Sequence, residues 1–247
     1  MNFFKLVKFD FMNILRNPFL VISNTLLPLI LIGIMGFVTK SSFGTELTTS
    51  YDYYGVKMVI FSVAVIAMTA SNAFMEEKVI KGNLRIVYVP VSKTEIYLSK
   101  VVSSYILATF SYGLLLPIGQ FLLQINYGGK NIFYVMLVLN FFSLFGCCLG
   151  TMFCCIFKNE ERANAIMQIP LALFIFFGGL FFQIHRFGKV INDISIFSPI
   201  KWVVDCTFRI IYDNDFQLFL PVLLFLLLAS VVCIVICQII FRPEEYV

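Results

Sequence analysis

The sequence predicts an all-α membrane protein with six transmembrane helices, an N-terminal amphipathic helix at the membrane interface and a re-entrant outer segment between spans five and six. The 247 residues are 60% hydrophobic and only 13% charged, whereas a soluble domain is nearer one quarter charged. Six apolar stretches have about the 20 residues that a bilayer requires. Two further stretches show helical spacing of apolar residues but are too short or too charged to span.

The six spans and their orientation follow from the apolar stretches and from the distribution of charge. With the N-terminus inside, eleven of the eighteen Lys and Arg residues lie on the inner side and seven on the outer side. The positive-inside rule therefore places both termini in the cytoplasm. We treat residues 1–247 as a single transmembrane domain, and the predicted spans are 19–39, 57–75, 99–124, 132–157, 163–184 and 218–241.

Residues 1–18 form the predicted interfacial helix, which Asn17-Pro18 ends before the first span. Basic and acidic residues alternate with apolar ones at helical spacing, a pattern typical of a helix that lies in the membrane surface. A frayed tail with some aromatic residues is the alternative. The apolar set is Phe3, Phe4, Leu6, Val7, Phe11, Ile14 and Leu15, and the polar set is Lys5, Lys8, Asp10 and Arg16.

The first inner loop is the longest polar interruption on the cytoplasmic side and has several local structure signals. It carries five of the eighteen Lys and Arg residues between Glu76 and Lys100. A short helix over Met75–Lys81 would end at Gly82, a good residue for a left-handed C-cap. Ser92-Lys93-Thr94-Glu95 has the form of a capping box that starts the next helix. A loop with these signals is expected to fold and to contact a partner.

The outer loop, residues 185–217, contains a helix that begins at Ser198-Pro199, an N-cap followed by proline at the first helical position. Asp205 and Arg209 stand four residues apart, so we expect them to pair. A helix of about 14 residues cannot cross the bilayer, and it should lie in the outer leaflet or enter it as a re-entrant segment.

Several classes of chemistry have no sequence pattern to support them. No HExxH, GxSxG or GxxxxGK[ST] motif is present, and all fourteen acids lie in loops, tails or span ends. Cys147 and Cys154 share a helix face but have no His or acid nearby, so we expect small apolar residues and no metal. Pro28, Pro117 and Pro170 fall inside spans, either as pathway-facing bends or as the prolines common in membrane helices. The polar residues that reach the interior are Asn24, Asn72, Gln120, Asn140, Gln168 and Gln238.

Three groups of residues stand in order along the chain. They are Leu15-Arg16-Asn17-Pro18-Phe19 with Pro28; Glu76-Glu77-Lys78, Gly82, Pro90-Val91-Ser92-Lys93, Glu95 and Lys100; and Gly178-Gly179-Leu180-Phe181-Phe182 with Ser198-Pro199-Ile200-Lys201-Trp202 and Arg209. Together these groups resemble one known family, the membrane subunits of ATP-binding-cassette exporters of the type-2 permease class, and the resemblance covers the whole chain.

The resemblance implies two sites. The first is a coupling helix in the inner loop 76–98, which would receive movement from an ATPase subunit. The second is the outer re-entrant segment. The expected coupling residues are Glu76, Glu77, Lys78, Lys81, Gly82, Pro90 and Lys93. The expected residues of the outer segment are Gly178, Gly179, Pro199, Trp202 and Arg209.

The resemblance also implies partners and a cargo class. We expect a second permease, identical or related, and two ATPase subunits that bind ATP and Mg, with no cofactor in this chain and no nucleic acid as partner. The spans offer apolar surface and almost no fixed charge, so the expected cargo is an apolar or amphipathic peptide, lipid or drug, exported through a bacterial cell membrane. The alternatives are an ion-coupled secondary transporter or channel, an intramembrane enzyme, and a membrane immunity or scaffold protein.

Overall fold

The computed structural model describes residues 3–43, 49–75, 92–182 and 188–241, and within these ranges the chain is helical with no strand. Long helices run side by side, and shorter helices precede or connect them along the chain. The helices are α1 (Phe3–Leu15), α2 (Pro18–Val38), α3 (Lys40–Phe43), α4 (Ser50–Met75), α5 (Lys93–Leu123), α6 (Ile132–Phe157), α7 (Glu160–Phe177), α8 (Lys189–Ser195), α9 (Pro199–Phe208) and α10 (Phe219–Ile240). A π-helical turn, Arg209–Asp213, extends α9.

Helix α4 is the central element, and 78% of its most apolar 18-residue window is buried. It packs against α2, α5, α6 and α7. Its approach to α6 is close because that helix presents glycine at the contact: a Cβ at Gly150 would overlap the carbonyl oxygen of Ala67, and one at Gly146 would lie 2.9 Å from Ile66. Small residues at helix crossings allow this kind of contact between membrane helices.

Five helices, α2, α4, α5, α6 and α10, are long and apolar enough to cross a membrane. The predicted fifth span differs, because α7 has 18 residues, begins with Glu160-Glu161-Arg162 and ends at Phe177. The chain turns at Gly178 and Gly179, before residue 184 where the prediction ended the span. The count of six spans therefore stays a prediction, as does the re-entrant depth of the outer segment.

Four of the six interior polar residues named above, Asn24, Asn72, Asn140 and Gln238, bond to side chains of other helices, which is common in membrane helices. Asn24 donates to Thr69 at 2.8 Å, Asn164 donates to Asn72, and Tyr105 donates to Asn140 at 2.7 Å. The three prolines, Pro28, Pro117 and Pro170, lie inside α2, α5 and α7.

All seven cysteines are buried free thiols. Six lie in α6 and α10, where they pack among apolar side chains. Cys206 lies in α9, and burial raises the pKa of its thiol to about 12, so it stays protonated at neutral pH. These residues therefore act as small apolar side chains in the packing.

Candidate functional site

Of the seven expected coupling residues, Lys93 lies in the described part of the chain. The predicted short helix up to Lys81 and its Gly82 cap lie outside the described residues, as do the other members of the set. Those members are Glu76, Glu77, Lys78, Lys81, Gly82 and Pro90. The inner region is therefore built here from the start of α5 and the helices that contact it.

The start of α5 is a complete capping box, which confirms the prediction made from Ser92 and Glu95. The Ser92 hydroxyl accepts a hydrogen bond from the Glu95 backbone N–H at 3.3 Å, and the Glu95 carboxylate accepts from the Ser92 backbone N–H at 3.0 Å. Both residues are local to the first turn, so the cap forms wherever this turn forms. The helix that follows the inner loop thus has a defined first residue.

Gln238, near the C-terminal end of α10, accepts hydrogen bonds from three polar side chains in the first turns of α5. Its side-chain carbonyl accepts from Thr94 at 3.0 Å and from the Tyr97 hydroxyl. Its backbone carbonyl accepts from the Lys93 ammonium at 3.2 Å. The first turns of α5 are therefore held to the last turn of α10, and Lys93 takes part in this contact.

Asp10 and Lys100 form a buried ion pair between α1 and α5, with 2.5 Å between Oδ1 and Nζ. Ser99 donates a second hydrogen bond to the Asp10 carboxylate at 2.6 Å. Asp10 is 2% exposed and Lys100 is 0% exposed. The prediction that Asp10 belongs to the polar surface of the N-terminal helix was wrong. The carboxylate turns inward because its opposite charge lies on the neighbouring helix.

The expectation that the spans carry almost no fixed charge is corrected by the same ion pair and by Lys57. Lys100 lies one residue inside the predicted span 99–124, and Lys57 is the first residue of the predicted span 57–75. Sequence reasoning assigned both lysines to the adjacent loops. A lysine at the edge of an apolar stretch is a signal for a partner on another helix, and this signal was available.

The chain breaks its helical course after α7, at Gly178 and Gly179, and Pro199 of the outer segment lies beside this break. A Cβ on Gly178 would lie 2.5 Å from Ile200, so the absence of a side chain lets α9 approach the end of α7. Gly179 adopts φ +67°, a conformation that favours glycine. Pro199 begins α9 beside this contact. The structure therefore brings Gly178, Gly179 and Pro199 together at the end of α7.

Three backbone carbonyl groups at the break accept hydrogen bonds from Ser198, just before α9, and from Tyr54 and Lys57 in α4. Ser198 donates to the Phe174 carbonyl at 2.8 Å, and the Tyr54 hydroxyl donates to the Phe181 carbonyl at 3.5 Å. Lys57 donates to the Gly179 carbonyl. Ser198 precedes α9 with extended backbone, but its side chain makes no N-cap bond. Its hydroxyl serves α7 and not its own helix.

Lys57 is the buried cation of the outer region, with 4% of its surface exposed. Its ammonium donates to the hydroxyl of Tyr53 and also lies 3.8 Å from the centre of that ring. Within the described residues no carboxylate lies within ion-pair distance of it. The nearby Asp205 carboxylate is bound to Lys201 at 2.7 Å. A buried lysine held by neutral oxygens is unusual, and such a charge at membrane depth is a candidate functional group.

The predicted pair of Asp205 with Arg209 was wrong. Asp205 binds Lys201 one turn earlier, and the Arg209 guanidinium binds Asp215 in the following loop at 3.1 Å. Both partners were present in the sequence, and three-dimensional proximity selected between them.

Trp202 and Arg209 do not join the break, although they were expected in the same set. The Trp202 indole N–H donates to the Ile196 carbonyl at 2.7 Å, and its ring packs against Phe225 of α10 at 5.5 Å. Arg209 lies at the far end of the outer segment with Asp215. These two residues fix the outer segment to α10 and to the loop before it.

The two regions have the character of joints between helices. At the inner end, polar contacts tie α5 to α1 and α10, and at the outer end they tie α7 and α9 to α4. Both joints bury hydrogen-bonded groups, which hold their geometry because leaving such groups unpaired is costly.

The family model for ABC-2 type transporters matches residues 1–212, which include α1 to α9, the start of α5 and the break after α7, but not α10 with Gln238. A comparison with curated proteins finds no match. The match covers well over half of the chain, and the apolar helices agree with a multi-pass membrane permease of an ABC transporter. The chain belongs to the ABC-2 type transporter family.

Proposed function

We propose that the chain is the permease subunit of an exporter, that it dimerises with a second permease, identical or related, and that two separate ATPase subunits drive it. ATP and Mg are bound by those subunits. The complex lies in a bacterial cell membrane with both termini of this chain in the cytoplasm, and it exports an apolar or amphipathic peptide, lipid or drug. The family match over residues 1–212 is the observation that carries this proposal.

The surface of the long helices supports an apolar or amphipathic cargo. In the long helices α2, α4, α5, α6, α7 and α10, the charged side chains beyond the first turn are Lys57 and Lys100, and both are buried, as is Asp52 in the first turn of α4. Asp52 accepts hydrogen bonds from Thr49 and from the backbone N–H of Asn126. No charge is therefore left on the helix bodies to compensate the desolvation of a small ionic solute.

Helix α7 supports dimerisation or a pathway on its exposed side. Gln168 is exposed near the middle of α7, and no hydrogen bond joins it to the described part of the chain. A polar side chain at membrane depth needs a partner, which another protein helix or a water-filled route supplies. We place α7 at the contact with the second permease or at the central pathway.

The inner loop 76–98 is the proposed docking site for the ATPase, with Glu76, Glu77, Lys78, Lys81, Gly82, Pro90 and Lys93 as its residues. The loop leads directly into α5, whose capped first turn and contacts with α10 are suited to receive a push. The Asp10–Lys100 pair would carry the same movement to α1.

Charge reversal tests the docking site. We expect the double variant Glu76→Lys/Glu77→Lys to reach normal membrane levels, to lose the ATPase subunit on purification and to lose transport. Like charges at a close interface cost several kcal/mol. The matched control is Glu160→Lys/Glu161→Lys, which makes the same charge change in the second inner loop and should retain the ATPase. A double reversal at 76 and 77 that still binds its ATPase and still exports would place docking elsewhere.

Cargo class is tested on the reconstituted complex by the rate of ATP hydrolysis. Amphiphilic peptides, lipids or drugs should stimulate ATPase activity, and sugars or amino acids should not. The opposite ranking would contradict the cargo assignment, and uptake driven by an ion gradient in the purified chain alone would contradict the ABC mechanism.

Topology is tested by cysteine labelling in intact cells. Cysteine introduced at Lys130 or Asp213 should react with an impermeant reagent from outside, and cysteine at Lys93 or Glu160 should not. The reverse pattern would overturn the model with six spans and cytoplasmic termini.

A further inference from the structure

Helix α1 presents one face to the protein and the other to its surroundings. Its buried face packs against α5, α2 and α4, and it consists of Leu6, Val7, Asp10 and Ile14. The opposite face is exposed and combines cationic with large apolar side chains: Phe4, Lys5, Lys8, Phe9, Met12, Leu15 and Arg16.

The exposed face is cationic because the structure removes the one acid of this helix from it. Asp10 is the single acidic residue among the first eighteen, and its carboxylate is buried on Lys100 and Ser99. Lys5, Lys8 and Arg16 form no ion pair within the described residues. Three positive charges therefore remain on the exposed face with no carboxylate between them.

The apolar side chains of the same face indicate a membrane surface as its occupant. Phe4 is 82% exposed, and Phe9 and Met12 are each more than 40% exposed. A face that mixes lysines with aromatic residues is typical of helices that lie among lipid headgroups. Only residues 16 and 17 separate α1 from α2, the first long apolar helix, so α1 cannot move far from the bilayer.

We propose that the exposed face of α1 docks on anionic phospholipid headgroups of the inner leaflet. Lys5 and Lys8 extend from the helix with long aliphatic stems, which lets their ammonium groups reach phosphate while Phe4 and Phe9 enter the headgroup region. Each lysine near an anionic surface contributes about a fivefold gain in affinity. The proposal rests on the inner placement of α1 in the proposed function.

Native mass spectrometry of the purified full-length chain tests this face. The protein in neutral detergent is offered an equimolar mixture of phosphatidylglycerol and phosphatidylcholine, and the bound lipids are counted. We expect a preference for phosphatidylglycerol that weakens at high salt. The variant Lys5→Gln/Lys8→Gln should lose most of it, about fivefold for each lysine. Because both side chains are exposed, the lipid-free variant should unfold at the same temperature as the wild type.

The matched control is Lys130→Gln/Lys189→Gln, which makes the same change in charge at two exposed lysines on the predicted outer side. It should keep the preference for phosphatidylglycerol. Equal binding of both lipids by the wild type, or an equal loss in the control, would overturn the proposal. Displacement of phosphatidylglycerol by soluble glycerol phosphate would also overturn it, because the site would then bind phosphate rather than a membrane surface.

Two further outcomes separate this inference from the proposed function. If Lys5→Gln/Lys8→Gln loses the ATPase subunit and keeps its lipid preference, the face is a protein interface and the proposal fails. If cysteine labelling shows the reverse topology while the lipid preference still depends on Lys5 and Lys8, the inner placement fails and the cationic face stands.

Discussion

The predicted inner and outer ends of the long helices each bury a lysine between helices, and they compensate its charge in different ways. Lys100 at the inner end meets a carboxylate, Asp10, which also accepts a hydrogen bond from Ser99. Lys57 at the outer end meets the neutral oxygens of Tyr53 and Gly179, and the nearby Asp205 is engaged by Lys201. The charge of Lys100 is compensated by an opposite charge, and that of Lys57 is stabilised by the dipoles of neutral groups.

The difference indicates how firmly each joint is closed. Breaking a buried ion pair leaves an uncompensated charge, so the contact of α1 with α5 should stay closed. Lys57 lies at the end of α7, where helix carbonyls carry a partial negative charge that favours a cation. Replacing one neutral oxygen by another or by water costs less than losing a carboxylate. We therefore expect the outer joint to rearrange more easily than the inner one.

The largest expected effect comes from breaking the inner pair alone. Asp10→Asn removes the negative charge and leaves Lys100 buried without it, which should lower the free energy of unfolding by about 3–5 kcal/mol. The measurement is denaturation in mixed micelles. The double variant Asp10→Leu/Lys100→Met removes both charges and should recover most of the loss. A single variant as stable as the wild type would show that Lys100 finds another compensation.

Removing the outer cation should cost less. Lys57→Met takes away the buried charge but leaves the Gly179 carbonyl and the Tyr53 hydroxyl without this donor, at about 1–3 kcal/mol. Amide hydrogen exchange should rise in residues 178–182, while the start of α5 should not change. Lys57→Gln keeps a donor and serves as the control. If Lys57→Met destabilises the protein more than Asp10→Asn does, the ranking of the two joints is reversed.

The cap at the inner end should contribute a smaller amount. Ser92→Ala removes the acceptor for the Glu95 backbone N–H and should cost about 1 kcal/mol. Ser92→Thr keeps a hydroxyl acceptor and should stay close to the wild type. Unfolding in mixed micelles measures both variants, and equal stability of Ser92→Ala and wild type would mean that Gln238 and the neighbouring helices alone hold the start of α5.

The smallest expected effect is at the partly exposed ion pair of the outer end. Lys201→Ala breaks the bond to Asp205, whose side chain is 40% exposed, and should cost about 0.5 kcal/mol or less. Lys189→Ala, at an exposed lysine with no ion pair in the described residues, is the control. A loss above 1 kcal/mol from Lys201→Ala would indicate that Asp205 also stabilises Lys57. The outer lysine would then be compensated by a carboxylate, as the inner one is.

Local patterns in the sequence predicted the features that depend only on neighbouring residues. Ser92 and Glu95 lie three residues apart, and their capping box follows from the geometry of one helical turn. Pro199 at the start of α9 was predicted on the same local basis. The helical class followed from composition and from the length of the apolar stretches, because backbone groups in hydrocarbon must bond within helices.

Contacts between distant residues were beyond this kind of reasoning. Both Arg209 and Lys201 were possible partners for Asp205 in the sequence. In the structure Asp205 binds Lys201, and Arg209 binds Asp215, because the outer loop folds back on itself. Helix α7 ends at Phe177 because Gly179 adopts the left-handed conformation that terminates helices, and the missing side chain of Gly178 makes room for Ile200 from a helix further along the chain. Apolar composition alone would have continued the helix.

The sequence by itself determined the membrane class, the apolar helices, the capped start of α5 and the family of the chain, because these depend on composition and on residues close together. Only the tertiary structure decided which charges are buried. Asp10 and Lys100 are 90 residues apart, and Lys57 meets Gly179 across 122 residues. A charged side chain can be buried in an apolar interior when a partner group of suitable geometry lies beside it. That partner is known only when the positions of the helices are known.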